Sequence, residues 1–200
     1  MFKRVLAVLV LTATTLITGT AAAHADTPYR GNGDEVIRVR VTKTPGLLKF
    51  RHDGESNFIV HTVTPAGKKQ DLLVNAIGPY DGTVLYNAYG GKGVAALEIK
   101  ADGAWSAVFQ PVTKARCWCA ATVKGKGDQV LKLTPTRGLR TVRTTHSGEG
   151  NFIVFGYTRV GSYGDLLFNE IGDYKGKALL PSGTRLVTVK ADGAWTFTRR

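Results

Sequence analysis

The strongest constraint on the fold is a segment of nine residues that the chain carries twice. Residues 52–60, His-Asp-Gly-Glu-Ser-Asn-Phe-Ile-Val, return as residues 146–154, His-Ser-Gly-Glu-Gly-Asn-Phe-Ile-Val, at an offset of 94 positions. A second motif, Lys-Ala-Asp-Gly-Ala-Trp, occurs at residues 100–105 and 190–195. Self-similarity of this kind indicates a duplicated structural unit. We therefore predict two tandem copies, residues 26–113 and residues 114–200.

Hydrophobic alternation predicts that each copy is built from strands. Ile37, Val39 and Val41 alternate with Arg38 and Arg40, which is the period of a half-buried strand. Asp-Gly between two alternating runs is a strong hairpin signal, and no helical period of useful length follows residue 25. The pattern predicts an all-β fold: two tandem antiparallel β-sandwich or barrel-like repeats, with about seven short strands per copy.

Two sets of residues have predicted structural roles in this architecture. Trp105 and Trp195 share parity with apolar positions, so each is expected to anchor the core of its own copy. Four glycines in matching turns are expected to need a positive φ, namely Gly78, Gly172, Gly82 and Gly176.

The first 25 residues have the layout of a secretory signal peptide. A basic start with Lys3 and Arg4 precedes an apolar stretch from Val5 to Ile17 and a small-residue run that ends at Ala25. The apolar stretch is shorter than the roughly 20 residues that span a bilayer. We expect cleavage after Ala25 and a secreted, extracellular protein without a transmembrane segment.

The positive charge of the chain is concentrated in the second copy. The full chain has a formal net charge of +12; residues 114–200 hold 15 Lys and Arg against 6 Asp and Glu, whereas residues 26–113 hold 10 against 9. Such a field favours binding to polyanions, although it also serves solubility alone. The predicted binding residues are Lys124, Lys126, Arg137, Arg140, Arg143, Lys175, Lys177, Arg185, Arg199 and Arg200, with Tyr80 and Tyr174 as exposed aromatics on glycine turns.

Cys117 and Cys119 flank Trp118 near the junction of the copies. In an extended strand, residues two apart are separated by about 6.6 Å, at the far end of the roughly 4.4 to 6.8 Å that a disulfide tolerates. The pair is therefore a local disulfide, a link to a second chain in a disulfide-linked dimer, or a thiol pair for a metal. A structural zinc site takes four ligands, and no second cysteine pair exists. We predict no metal.

The candidates for chemistry are two equivalent triplets, each with a histidine, a glutamate and an asparagine. A histidine and a carboxylate three positions apart suit a general base with its orienting group, or two metal ligands. However, Ser56 becomes Gly150 in the second copy, and no Gly-x-Ser-x-Gly motif occurs. The preferred interpretation is that these residues brace the hairpin, so we predict no catalytic residue and no cofactor. The triplets are His52, Glu55 and Asn57, and His146, Glu149 and Asn151.

Taken together, the repeated motifs resemble a small repeat module of secreted and membrane-attached actinomycete proteins. The motifs are His-x-Gly-x-(Ser/Gly)-Asn-Phe, Leu-Leu-(Val/Phe)-Asn-x-Ile-Gly-x-Tyr-x-Gly and Ala-Asp-Gly-x-Trp, and they cover residues 33–109 and 127–197. The resemblance implies an extracellular β-module without an assigned activity or catalytic residues. The Cys-Trp-Cys segment departs from this pattern.

The sequence predicts a secreted, non-enzymatic binding module that engages an anionic extracellular polymer or the cell-envelope surface through the basic second copy. The first alternative is a secreted inhibitor or protein-interaction module that uses hairpin tips, with Cys117 and Cys119 joining chains. The second alternative is a hydrolase or toxin that uses His52 and His146.

Overall fold

A computed structural model describes residues 28–200, so the predicted signal peptide, residues 1–25, lies outside the described residues. The described part consists of β-strands with one short 3₁₀ helix, Val112–Lys114, which confirms the all-β prediction. No helix between residues 28 and 200 is long and apolar enough to cross a membrane.

The first unit is an eight-stranded antiparallel sandwich. Its sheets have the orders β1-β8-β3-β6 (sheet 1A) and β2-β7-β4-β5 (sheet 1B), which is the topology of a jelly roll. The eighth strand, which the sequence pattern missed, is β1: the segment pairs with β8, and Gly31 leaves room for the ring of Trp105. The strands are β1 (Tyr29–Asn32), β2 (Glu35–Thr42), β3 (Gly46–His52), β4 (Asn57–Val63), β5 (Lys69–Ile77), β6 (Tyr80–Tyr86), β7 (Val94–Lys100) and β8 (Ala104–Pro111).

The second unit repeats this topology and adds one strand from the junction. Its sheets have the orders β10-β17-β12-β15 (sheet 2A) and β14-β13-β16-β11-β9 (sheet 2B). The added strand, β9, lies parallel to β11 at the edge of sheet 2B. The strands are β9 (Arg116–Cys117), β10 (Thr122–Lys126), β11 (Gln129–Lys132), β12 (Arg140–Ser147), β13 (Asn151–Tyr157), β14 (Asp165–Ile171), β15 (Tyr174–Leu180), β16 (Leu186–Lys190) and β17 (Ala194–Arg199).

Each unit has its own core between its two sheets, and each predicted tryptophan anchor is buried there. Trp105 packs in the first core and Trp195 in the second. The indole Nε1 of each donates to the carbonyl oxygen of a glycine, Gly33 directly after β1 or Gly127 directly after β10, at 3.0 and 2.9 Å. The duplicated motif therefore fixes the same tryptophan contact twice.

A third apolar cluster, which we call the seam, lies between the units. It contains Leu47 from β3 and Val130 and Leu186 from sheet 2B, all buried. Their chain neighbours Leu48 and Leu131 point into the two unit cores, so the seam residues lie on the opposite faces of their strands. The outer face of sheet 1A therefore packs against the outer face of sheet 2B.

The four turn glycines fall into two kinds. Gly78 and Gly172 have φ values of 82° and 80°, as predicted. The prediction is wrong for Gly82 and Gly176, which are absent from the positive-φ residues of the described chain. They lack a side chain for another reason, because a Cβ at either position would overlap the ring of Tyr80 or Tyr174 two residues earlier.

Candidate functional site: a basic sheet face

The outer face of sheet 2A gathers the charge that the sequence places in the second unit. Along β12, Val142, Thr144 and His146 are buried, whereas Arg143 and Thr145 are exposed. Because successive side chains of a strand alternate between its faces, the exposed residues share the outer face. Strand register then decides which residues of the four strands lie side by side on that face.

Two rows of outward residues cross all four strands. The first row runs Thr122, Thr198, Arg143, Lys177, and the second runs Lys124, Thr196, Thr145, Lys175. Directly opposed residues in antiparallel strands have Cβ atoms about 4.5 to 5.5 Å apart. Cations and hydroxyls therefore form a closely spaced array.

We call the outward cations of sheet 2A, with the end of the chain that follows β17, the basic face. Its six cations are exposed, and none of them is in an ion pair with a described residue. The two rows contain no acidic residue. The first acidic residue on the same face is Asp173, just before β15, and it accepts a hydrogen bond from the Gly148 amide at 3.0 Å. The cations of the basic face are Lys124, Lys126, Arg143, Lys175, Lys177 and Arg200.

A shallow depression of about 470 Å³ lies on the basic face. Arg143, Lys177 and Arg200 line it, with Thr141, Ala178 and Leu179. Three cations around one recess suit a single anionic group, which guanidinium and ammonium groups bind by charge-assisted hydrogen bonds.

The other four predicted cations lie away from this face. Arg199 points to the opposite side of β17, where its guanidinium carbon lies 4.9 Å from the ring centre of Trp118. Burial and then the charge of Arg140 lower the pKa of Arg199. Arg140 has the inward parity of β12, Arg137 lies in the β11–β12 loop, and Arg185 precedes β16 of the other sheet.

The first unit does not repeat the basic face. The equivalent row of sheet 1A contains Arg51 and Asp81, which form an ion pair at 3.1 Å. Farther along the same face, Leu47 is covered by the seam. The basic face is therefore a property of the second unit alone.

The two tyrosines predicted as exposed aromatics are half-buried. Each packs against the phenylalanine of the nine-residue repeat, Phe58 or Phe152. Tyr80 also donates its hydroxyl across the seam to Asp128 Oδ2 at 2.8 Å. Burial and the nearby Asp128 raise the pKa of Tyr80. Tyr80 is thus a contact between the units, and the sequence offered no sign of its partner 48 positions away.

The duplicated histidines form the same clamp in both units. Nδ1 of His52 donates to the Gly78 carbonyl oxygen at 3.0 Å, and Nε2 lies 3.3 Å from Asp102 Oδ1, an ion-pair distance without hydrogen-bond alignment. His146 has equivalent contacts with Gly172 and Asp192, at 2.8 and 3.3 Å. The partner carboxylate therefore comes from the Asp-Gly turn before the last strand.

The glutamates of the predicted triplets contribute their backbone. Asp102 Oδ2 accepts from the Glu55 and Ser56 amides at 2.9 and 2.8 Å, and Asp192 does the same for Glu149 and Gly150. The side chains of Glu55 and Glu149 are exposed, as are Asn57 and Asn151 at the first positions of β4 and β13.

The clamp braces connections that cross between the sheets: β3–β4, β5–β6 and β7–β8 each join a strand of sheet 1A to a strand of sheet 1B. The hairpins that the sequence predicts at the nine-residue repeat and at the Asp-Gly turn are therefore wrong. Both histidine side chains have no exposed surface, and each ring stacks on a phenylalanine with centres 4.5 or 4.6 Å apart. A general base must reach the proton that it removes. These imidazoles are closed off from solvent, and no group of metal-binding side chains occurs among residues 28–200.

Cys117 and Cys119 are joined to each other by a disulfide, with Cα atoms 5.3 Å apart. The separation is shorter than in an extended strand because β9 ends at Cys117 and the chain turns. Of the three sequence-based options, the structure has the local bond. It leaves neither sulfur free for an interchain link or for a metal.

A second recess of about 460 Å³ lies between the units. Its apolar lining includes Leu85 and Phe155, and its polar lining includes Asp128, Thr188 and Lys190. Burial raises the pKa of Tyr157, which also lines it, to about 12. This recess has the size of a small-molecule site and mixed polarity.

No family model and no curated protein matches the chain. Among solved structures, a regulatory subunit of a cAMP-independent protein kinase A from Trypanosoma brucei is 10% identical with a TM-score of 0.25, and covers 86% of this chain and 71% of its own. The regulatory domain of Toxoplasma gondii protein kinase A with cAMP is 9% identical with a TM-score of 0.24, covering 86% of this chain and 77% of its own. Similarity at this level carries no argument about function.

Proposed function

We propose that the chain is a secreted, non-enzymatic binding module that holds an anionic polymer of the cell envelope on the basic face. The observation that carries the proposal is the array of six exposed cations without an acidic residue in register. Such an array attracts a polyanion because neutralising its charges releases condensed counterions.

The spacing of the basic face suits an extended polymer. Lys175 and Lys177 are two residues apart on one strand, which is about 6.6 Å, and Arg143 lies beside Lys177 on the next strand. Threonine hydroxyls between the cations can donate hydrogen bonds to phosphate or carboxylate oxygens. The depression lined by Arg143, Lys177 and Arg200 supplies one stronger subsite within the array.

The test is a titration of the chain beginning at residue 26 with inorganic polyphosphate at two salt concentrations. We expect the affinity to fall at least about tenfold between about 50 and about 200 mM salt, because several phosphates are neutralised. The triple variant Arg143→Gln/Lys177→Gln/Arg200→Gln is expected to lose at least about tenfold in affinity at the lower salt concentration.

A second triple variant serves as the matched control, because it removes the same charge away from the basic face. It is Arg38→Gln/Arg137→Gln/Arg185→Gln, three exposed arginines. We expect it to bind nearly as the parent does. Equal losses in the two triple variants would show attraction to net charge alone and would contradict a defined site.

The protein-interaction alternative has one observation in its favour. Ile77 and Ile171 occupy equivalent positions and are 82% and 78% exposed, although neither contributes to a core. If polyphosphate binding were weak and insensitive to salt, this duplicated apolar pair would become the first surface to test by Ile→Ser substitution.

A further inference from the structure

The only two cysteines of the chain form a disulfide that contributes little to the fold as a cross-link. In the chain-entropy account, a disulfide stabilises more when it closes a longer loop. This bond encloses a single residue, Trp118. The first unit reaches the same eight-stranded topology with no cysteine in its sequence. The bond is therefore not what the repeat needs in order to fold.

The disulfide is accessible from solvent. Cys117 and Cys119 are both exposed, whereas Trp118 between them is 1% exposed. The pair lies where β9, an edge strand of sheet 2B, ends. A thiol of another protein can approach the sulfurs there without opening a core.

The backbone around the disulfide is held by contacts that do not involve sulfur. The Trp118 amide donates to the Lys132 carbonyl oxygen at 2.7 Å. Arg199 Nη2 donates to the carbonyl oxygens of Trp118 and Ala120 at 2.9 and 3.1 Å, and the Trp118 ring packs on Phe197 with centres 5.5 Å apart. Reduction of the bond therefore leaves the two thiols side by side on a fixed backbone.

Arg199 also places a positive charge near the disulfide. The carbonyls bound by Arg199 belong to the residues on both sides of Cys119, so the guanidinium is held against the backbone that carries this cysteine. A positive charge beside a cysteine favours its thiolate, which is the attacking and the leaving form in disulfide exchange.

We propose that Cys117 and Cys119 form a thiol–disulfide exchange site that oxidises exposed thiol pairs of partner proteins. A substrate thiolate attacks one sulfur, the Cys117–Cys119 bond breaks, and a mixed disulfide forms. The second substrate thiolate then attacks the substrate sulfur of the mixed disulfide and releases the reduced cysteine pair. Two electrons pass to the protein and the two protons end on its thiols; a second disulfide compound, such as oxidised glutathione, restores the bond by the reverse exchange.

The first experiment counts thiols in the folded protein after dithiothreitol treatment, by alkylation and mass measurement. We expect both cysteines to be alkylated while the circular dichroism spectrum stays unchanged. Alkylation only in denaturant, or unfolding upon reduction, would overturn the proposal. The double variant Cys117→Ser/Cys119→Ser is expected to fold; its failure to fold would assign the bond to stability and also overturn the proposal.

The second experiment measures oxidation of a reduced Cys-x-x-Cys peptide by the folded protein in a single turnover. The reference is a disulfide-closed peptide of residues 114–123. We expect the protein to react at least about tenfold faster, because the peptide lacks both the fixed backbone and the charge of Arg199 that favours the leaving cysteine thiolate. Equal rates for protein and peptide would overturn the proposal.

The contribution of Arg199 is tested with matched variants. Arg199→Gln is expected to slow the oxidation at least about threefold without changing the number of accessible thiols. Arg137→Gln removes the same charge from a loop without contact to the disulfide and is expected to leave the rate unchanged. Equal rates in the two variants would contradict the role of Arg199.

Discussion

At the scale of single residues, the two histidine clamps account for most of the nine-residue repeat. His52 and His146 each lie between a carbonyl oxygen and a carboxylate, and the same carboxylate accepts the amides of the intervening turn. The residues that recur are therefore those that join the connections between the two sheets of each unit. This explains why both copies keep the histidine although no nucleophile occurs at the same position in both.

Asp102 and Asp192 are predicted to make stability depend on acid. Burial raises the pKa of each carboxylate, but hydrogen bonds from backbone amides, led by Ser56 for Asp102 and Gly150 for Asp192, together lower it by more. Both pKa values therefore lie below the ordinary range of aspartate. The folded state then binds these protons less tightly than the unfolded chain. Their stabilisation is complete above about pH 4 and is lost as pH falls through the folded values.

The test is urea unfolding of Asp102→Asn/Asp192→Asn from neutral pH to about pH 2. We expect lower stability than the parent at neutral pH and a difference that shrinks in acid. Asp165→Asn, which removes an exposed carboxylate at the start of β14, is the control. An unchanged pH profile in the double variant would contradict the clamp as a source of stability.

Gly82 and Gly176 are predicted to resist substitution for steric reasons. An added methyl group would overlap the Tyr80 or Tyr174 ring, and overpacking costs about 1 to 3 kcal/mol. Gly82→Ala should cost more than Gly176→Ala, because displacing Tyr80 also breaks its bond to Asp128. Denaturant unfolding measures both losses. A larger loss for Gly176→Ala would show that the seam bond is unimportant.

At the scale of elements, Asp128 links a turn to the seam. Its Oδ1 accepts the Ala191 amide at 2.9 Å, as Asp34 does for Ala101 in the first unit, and its Oδ2 accepts from Tyr80. The contact between the aspartate and the amide occurs in both units, but only Asp128 also accepts a hydrogen bond from a side chain of the other unit. The sequence shows the two aspartates at equivalent positions but not this difference.

Asp128→Asn is predicted to stabilise the protein at neutral pH. Burial raises the pKa of Asp128 despite the amide and hydroxyl donors, so the folded state binds this proton more tightly than the unfolded chain. Parent stability therefore falls as pH rises from about 3.9 through the folded value. Asparagine keeps an acceptor for Ala191 without the buried charge.

Unfolding of parent and variant across pH measures this effect, and we expect the gain to vanish in acid. Tyr80→Phe is the complementary variant, since it leaves Oδ2 without its donor and should cost about 1 to 3 kcal/mol. A gain of equal size at every pH would contradict burial of the charge as its cause.

Local patterns predicted the elements well and the contacts between them poorly. Alternation and Asp-Gly turns indicated strands, and parity placed Trp105 and Trp195 in the cores. Strand order is not a local property, so the Asp102 partner of His52 and the pairing of β1 were missed. The cations were predicted from composition, and only register separates Arg143 on the basic face from Arg199 beside Trp118.

At the scale of the whole molecule, adjacent residues of β3 serve two different interiors. Leu47 is buried in the seam and Leu48 in the first core. Replacing either by alanine should cost about 2 to 5 kcal/mol, because both are large-to-small changes at buried sites. The two variants should nevertheless loosen the packing of different parts of the molecule.

Hydrogen exchange resolved by peptide can separate the two variants. Leu48→Ala is expected to speed exchange in β4 and β7, which share its core, whereas Leu47→Ala is expected to speed exchange in β6 and β11 on both sides of the seam. The same exchange pattern in both variants would contradict a seam distinct from the first core.

The seam joins unlike surfaces, sheet 1A of one unit to sheet 2B of the other, so the contact is heterologous rather than isologous. The doubled molecule therefore has polarity: one end displays the face of sheet 1B, and the other displays the lysines and arginines of sheet 2A. The same sheet therefore has different uses in the two copies: its outer face packs in the seam in the first unit and forms a charged surface in the second.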